Sequence, residues 1–243
     1  MDAYHREQLR EGYVPCLQPR YNVFLELLSD LKEANPRILD IGCHFGDFLI
    51  YYLRASGYEN LMGLDISEVA VSILEREGIP VVLGDIEDPH IGEILGGGFD
   101  CIFMGDVLEH IFEPRRVLET IHNLLVADGR LILSVPNAGW LPNGLLLTFA
   151  PRLLGLSPAF GSWTHCNQFT LYTLQAMLYS CGFSVQTCRG VKYQFVSYFT
   201  KSGVKQRIGN GCLKLMFAAL NSLAERCPNI FSPHLIVSAK KGV

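Results

Sequence analysis

Residues able to do chemistry cluster behind short apolar runs. In Ile38-Leu39-Asp40-Ile41-Gly42-Cys43-His44-Phe45-Gly46-Asp47, a turn with two glycines follows the run Arg37–Ile41. Glycine there lets the backbone come close to a ligand and take dihedrals that other residues avoid. A second run, Leu61–Asp65, ends on a carboxylate, and a third, Val81–Leu83, is followed by Gly84-Asp85-Ile86. An acidic side chain at the end of the second strand of such a series accepts hydrogen bonds from both hydroxyls of a ribose. Asp85 can take the exocyclic amine of adenine, with Ile66 and Ile86 on the two faces of the ring. Met104-Gly105-Asp106 closes a fourth run and faces the same crevice.

Charge narrows the kind of nucleoside. Asp40 stands two residues before Gly42 and places a carboxylate beside the turn. A pyrophosphate there would be repelled in a partly desolvated site. The glycine spacing is also G-x-x-x-G rather than the G-x-G-x-x-G of dinucleotide sites. A nucleoside with a cationic head suits the turn better. S-adenosylmethionine carries an ammonium, a sulfonium and no phosphate.

These residues need rigid elements beneath them. Apolar spacing at Phe24, Leu27, Leu28 and Leu31 predicts an amphipathic helix over residues 21–34, stopped by Asn35-Pro36. Helices are expected from Asp47 to about Ala55, from a Ser67 cap to Glu77, from Pro114 to Val126 and over Thr170–Cys181. Strands are expected at Arg37–Ile41, Leu61–Asp65, Val81–Leu83, Phe99–Met104, Arg130–Val135, Phe183–Cys188 and Leu235–Ala239, with a turn at Asp128-Gly129. Alternating strands and helices imply an α/β fold: a doubly wound, mostly parallel sheet with helices on both faces. Residues 1–35 read as an N-terminal helical segment and 36–243 as the main domain. Within that domain, 138–168 and 190–232 read as a cover and a C-terminal insertion.

Composition agrees with a globular chain. Of its 243 residues 49% are hydrophobic, and the net charge of −4 excludes a disordered or strongly basic, nucleic-acid-binding protein. Between Asp128 and Glu225 there is no acidic residue, while Arg130, Arg152, Arg189, Lys192, Lys201, Lys205, Arg207 and Lys214 are basic. That stretch suits an anionic ligand or an anionic membrane surface, or is simply a solvated face. The eight cysteines include no CxxC pair, and the N-terminus is polar, so a reduced, cytoplasmic protein is expected.

Taken together, ILDIGCHFG (38–46), GLDIS (63–67), GDIED (84–88), FDCIFMGDVLEHI (99–111), LLVADGRLILSVPN (124–137) and QFTLYTLQAMLYSCGF (168–183) resemble a class I S-adenosylmethionine-dependent methyltransferase of the small-molecule type. The resemblance covers residues 36–188 in the family's order. It implies a seven-stranded sheet whose last strand, Leu235–Ala239, is antiparallel. It also implies that Asp40, Gly42, Cys43, His44 and Gly46 border the methionine part, Asp65 the ribose, and Ile66, Asp85 and Ile86 the adenine, with Met104 and Gly105 on the sulfonium side. The family usually has glycine where His44 stands. A nicotinamide-dependent oxidoreductase and a non-catalytic binding module are the rival readings.

Methyl transfer to oxygen gains from a base, and the acid-free stretch narrows the candidates. His165, in Gly161-Ser162-Trp163-Thr164-His165, and His110 are the candidate catalytic residues, with Asp106, Glu109 or a tyrosine as alternatives. Glu109 and His110 are adjacent potential metal ligands, but no third stands beside them in the sequence, so no metal is expected. Asn137 and Tyr172 can orient an acceptor hydroxyl, or serve only their own turn and helix start. Arg20 and Tyr21 can fold over the cofactor or cap the sheet. An apolar cover rich in Trp140, Phe149, Phe160, Trp163, Tyr193, Phe195, Tyr198 and Phe199, rimmed by cations, suits a small, anionic or lipid-linked acceptor, and a sugar-linked one is equally open. The Cys212–Leu223 segment suits a membrane interface, a sheet edge or a homodimer contact.

Overall fold

A computed structural model describes residues 2, 6, 7, 19–140, 165–191, 222–224 and 226–242. Helix α1 (Pro19–Leu28) tightens over Ser29–Ala34 and stops where Asn35 turns left-handed. Strand β1 (Ile38–Ile41) leads through the glycine turn into a helical stretch. That stretch has wide, π-type turns over Leu49–Leu53 and tight ones over Arg54–Ser56, in place of the regular helix expected there. Strand β2 (Leu61–Asp65) is followed by α2 (Glu68–Arg76), whose Ser67 cap accepts the Ala70 N–H at 3.3 Å. Next come β3 (Val81–Leu83), α3 (Ile91–Leu95) and β4 (Phe99–Gly105). One tight turn, Leu108–His110, precedes α4 (Pro114–Leu124) and β5 (Leu125–Pro136). The described chain then forms α5 (Leu171–Ser180), β6 (Phe183–Gly190), α6 (Pro228–Phe231) and β7 (His234–Lys241).

The seven strands form one sheet in the order β3-β2-β1-β4-β5-β7-β6. β7 pairs antiparallel with both neighbours, and every other pairing is parallel. The order reverses at β1, which lies between β2 and β4, so the crevice at their carboxyl ends is where a ligand has room. The turn expected at Asp128-Gly129 is instead an irregularity inside β5. Asp128 adopts φ +61°, and the pairing with β4 shifts between Phe99 and Cys101.

Both faces of the sheet are covered. Leu39, Ile41, Leu64, Ile102, Met104, Leu131 and Leu133 pack toward α3, α4 and α5. Ile38, Cys101, Phe103, Ile132 and Ile236 pack toward α1, the wide-turned segment and α2. Strand alternation therefore puts Asp40 on the α1 face, beside Phe103 in register. Phe24 of α1 is the main rivet on that face, with its ring centroid 5.4 Å from Phe48 and 5.5 Å from Phe103. The Arg130 guanidinium adds a two-pronged bond to Asp30 at 2.7 and 2.8 Å.

Most of the expected cover, including nearly all of the Cys212–Leu223 segment, lies outside the described residues. Among the described residues, no helix is long and apolar enough to cross a membrane.

Because Phe24 is fully buried against two further rings, Phe24→Ala should cost about 3–5 kcal/mol in urea or thermal unfolding. A loss under about 1 kcal/mol would mean that α1 is not docked as described.

Candidate active site

The turn after β1 is shaped by packing as much as by any ligand. Gly42 has φ +71°, and a β-carbon there would lie 2.5 Å from Val107 Cγ2. Gly46 has φ +79°, and a β-carbon there would collide with Leu74 Cδ2. Both glycines are demanded by the dihedrals expected of them and, beyond that expectation, by side chains of this protein that occupy the space. His44 also sits in the left-handed region, at φ +52°, with its ring 4.2 Å from that of Phe45. A β-carbon in this conformation costs on the order of 1–2 kcal/mol, so a glycine would sit here with less strain. Cys43 is buried with its thiol against Gly63, so it offers a ligand backbone only.

Two carboxyl groups share this end of the sheet. Asp65 is fixed by backbone donors: the His44 N–H at 2.8 Å on Oδ2 and the Ser67 N–H at 2.9 Å on Oδ1. Each oxygen keeps lone pairs for further donors, as a pair of ribose hydroxyls requires. Asp40 is buried on the neighbouring strand. Burial first, and then the negative charge of Asp65, push its carboxyl up to about 8, against a smaller opposing pull from Arg20. Tyr21 lies over the same pocket, its hydroxyl raised to about 12 mainly by burial.

The adenine side is more open. Asp85 is exposed and accepts the Glu87 N–H at 2.9 Å, Ile66 is 50% exposed, and Leu83 is 49% exposed. Ile86, expected on a ring face, packs its side chain in the core with Leu64 and Ile91. Met104 is likewise fully buried on the face opposite Asp40, so only its backbone can border a ligand. Gly105 lies on the Asp40 face, with room for a β-carbon 3.8 Å from the Phe24 ring.

Beyond β4 the chain turns sharply at Asp106, φ +55°. Asp106 is held by the Arg20 guanidinium, by the Ser134 hydroxyl donating at 2.7 Å, and by an approach of His234 Nδ1 to 3.5 Å. His234 was not anticipated. It opens β7, and because β7 runs antiparallel its first residue lies at the carboxyl ends of the parallel strands. Burial, with help from the Arg20 charge, lowers its imidazole to about 4.

Glu109, His110 and His165 come together next to this group. The Cys166 and Asn167 N–H groups donate to the Glu109 carbonyl at 2.8 and 3.0 Å, and the Asn167 side chain donates to the Ile111 carbonyl. These bonds bring the His165 ring to 4.8 Å from that of His110. Glu109 is 2% exposed and its carboxyl is raised to about 7 by burial. His165 is lowered by burial and by the charges of His110 and His234. The structure thus supplies the third potential ligand that the sequence left out of view.

Asn137 does not face the acceptor. Its amide donates to the Asn229 and Ser232 carbonyls at 3.0 and 2.9 Å and its oxygen accepts the Gly139 N–H, so it ties β5 to the approach of β7. Tyr172 is exposed on α5.

Known proteins share this fold. A family described as "Methyltransferase domain" matches residues 15–187. The mitochondrial ubiquinone biosynthesis O-methyltransferase of Schizosaccharomyces pombe is 28% identical over 165 residues, covering 66% of this chain and 59% of that protein. The ubiquinone biosynthesis O-methyltransferase of Pseudomonas aeruginosa is 28% identical over 108 residues, covering 43% and 46%. The chain therefore spans about half the length of these curated relatives. The plantazolicin methyltransferase BamL, solved with a triazolic desmethylPZN analog and SAH, superposes with a TM-score of 0.61 at 18% identity, covering 98% of this chain and 89% of that one. The chain belongs to the methyltransferase-domain family, in its class I, S-adenosylmethionine-dependent form. The nicotinamide reading falls with that assignment. The cofactor fits the residues present: a dry carboxyl pair suits its ammonium, and the anchored Asp65 suits its hydroxyls.

A carboxyl raised to about 8 makes the folded state bind a proton that the unfolded chain has already released. Cofactor-free stability should then fall as pH rises from about 4 to about 8. The groups facing Asp40 in this range are Asp65, Arg20 and Tyr21, and none of them reverses that sign. Asp40→Asn should flatten the dependence and raise the unfolding midpoint near pH 8, as read by urea titration at several pH values. An unchanged slope would show that Asp40 is ionised in the dry pocket.

Proposed function

We propose that this protein transfers the methyl group of S-adenosylmethionine to a hydroxyl oxygen of a small or a lipid- or sugar-linked acceptor. In this reading Asp40 carries the cofactor's ammonium, with the backbone of Gly42, Cys43, His44 and Gly46 along the methionine. Asp65 takes the ribose hydroxyls. Asp85 takes the adenine amine, and Ile66 lies against the ring. Gly105 and the Met104 backbone border the sulfonium.

The observation that carries the reading is the Glu109–His110–His165 group at the carboxyl end of β4, with imidazoles 4.8 Å apart. An acceptor hydroxyl held against it, in line with the S–CH3 bond, needs only a proton acceptor and exclusion of water. His165 takes the proton in the cation-free protein, and His110 orients it. The oxygen forms its bond to the methyl carbon as the sulfur keeps the electron pair of the broken S–CH3 bond. Oxygen as the accepting atom is favoured further by both curated relatives, which are named as O-methyltransferases. The acid-free stretch 129–224 would lend a cationic rim, suited to an anionic or lipid-linked acceptor and to peripheral contact with a membrane.

Calorimetry with S-adenosylmethionine and its demethylated product should show saturable binding, weakened more than tenfold by Asp65→Ala, with NADH silent. Binding at pH 7 should also release about one proton, because an ammonium beside Asp40 expels the proton that burial favours. With a methyl-labelled cofactor and an alkylated catechol, mass spectrometry should place the label on oxygen and leave the matching diamine unlabelled. Label on nitrogen, or cofactor binding without turnover on any hydroxylated acceptor, would sink the oxygen reading and favour a binding module. For the membrane contact, sedimentation with anionic vesicles at low salt should be reduced by combined alanine replacement of Lys201, Lys205 and Arg207. Equal sedimentation would remove the basic stretch from that role.

A further inference from the structure

We propose that Glu109, His110 and His165 form a binding site for one divalent transition-metal cation of the zinc or cobalt type, open to the acceptor oxygen. One oxygen or nitrogen atom from each of the three side chains lies within 4.8 Å of those of the other two. A carboxylate and two imidazoles are the donor set that such cations prefer, whereas magnesium and calcium favour all-oxygen sites. Ligand atoms around a zinc ion at about 2.0–2.1 Å lie roughly 3.4 Å apart, so atoms up to 4.8 Å apart must draw in by up to about 1.4 Å. His165 can supply that movement, since it is the residue just ahead of the Cys166 and Asn167 backbone bonds and is only partly buried.

A second observation points to a cationic ligand. Glu109 is 98% buried, and its Oε2 has no hydrogen-bond partner. A buried carboxylate oxygen left without a donor is costly, and a metal ion removes that cost directly. The turn Leu108–His110 puts both side chains of one sequence pair at the site, and the bonds from Cys166 and Asn167 pin the third ligand from a separate loop. Three protein ligands leave a position for water or substrate, the pattern of catalytic rather than structural sites.

The site deepens the proposed function and rests on it only for what the cation does. A hydroxyl bound at the open position loses its proton to solvent more readily, and the resulting oxygen anion attacks the methyl carbon. With the cation in place the imidazoles act as ligands, and no histidine needs to take the proton.

The test uses the full chain, stripped of metal and titrated with Co2+ while visible absorption is recorded, and then with Zn2+ in competition. One equivalent should bind, with the ligand-field bands of a four- or five-coordinate site. His165→Ala and Glu109→Gln should each weaken binding at least tenfold, while His90→Ala, an exposed histidine outside the group, should not. Thermal unfolding of each variant verifies that it is folded, and His165→Gln provides a second, milder variant should His165→Ala fail to fold. Absence of saturable binding, or binding that His165→Ala and Glu109→Gln leave unchanged, would overturn the site. Methylation is read separately. Metal binding without methyl transfer would leave the site standing and remove the proposed function, and methylation unaffected by metal removal would show that any cation bound there has no part in the reaction.

Discussion

Two carboxyl groups on adjacent parallel strands, both out of water, set the terms for this end of the molecule. Asp40 and Asp65 lie on one face of the sheet, and the Asp65 charge adds to burial in making a charge on Asp40 harder to bear. The protein relieves this only partly. Backbone N–H groups fix Asp65, while the Arg20 guanidinium bonds to Asp106 and reaches Asp40 only through its longer-range charge. What remains is a buried carboxyl that holds its proton up to about pH 8. Phe24, Phe48 and Tyr21 pack their rings together on the same face and help to keep water out. The glycine turn, the wide helical stretch behind it and the docking of α1 all close this one region.

Much of this was legible from residue order. A buried strand reads as an unbroken apolar run, and in a parallel sheet every strand does so, hence β1 to β4 stand where their runs are. Carboxylates at the ends of such runs must lie at the ligand edge, so Asp40, Asp65 and Asp85 could be placed without coordinates. Side-chain direction was not available in the same way. Met104 sits at the right edge but points into the core, because alternation along a strand decides the face and an apolar run conceals the alternation, and Ile86, in the turn after β3, also packs inward. The glycines' unusual dihedrals were legible, but the packing against them was not. Val107, beyond β4, and Leu74 of α2 fill the spaces where their side chains would be.

The acceptor side was least legible, since it is assembled from three separated parts of the chain. His234 owes its place to a reversal of strand direction, and the run after it gives no sign of which way the strand points. His165 owes its place to two backbone hydrogen bonds onto the Glu109 carbonyl. Backbone groups are the same in every residue, so sequence alone cannot announce such a staple. Asn137 was open to two readings, a ligand contact or a local turn role. The structure takes the second further, with its amide holding α6 and the start of β7.

The position of β7 also bears on how the chain comes to its fold. The last strand in chain order is an interior one, wedged between β5 and β6 and bonded to both along its length. Until residues 234–241 have left the ribosome, β5 presents a bare edge and β6 has no neighbour to pair with. Strands β1 to β5 can assemble during synthesis from contacts between near neighbours in sequence. The insertion of β7 must wait and closes long loops when it comes, which makes it a slow step. His234 arrives with that strand, so its approach to Asp106 waits for β7 to be in place. The carboxyl pair of β1 and β2 is thus assembled before the group around Asp106 is complete.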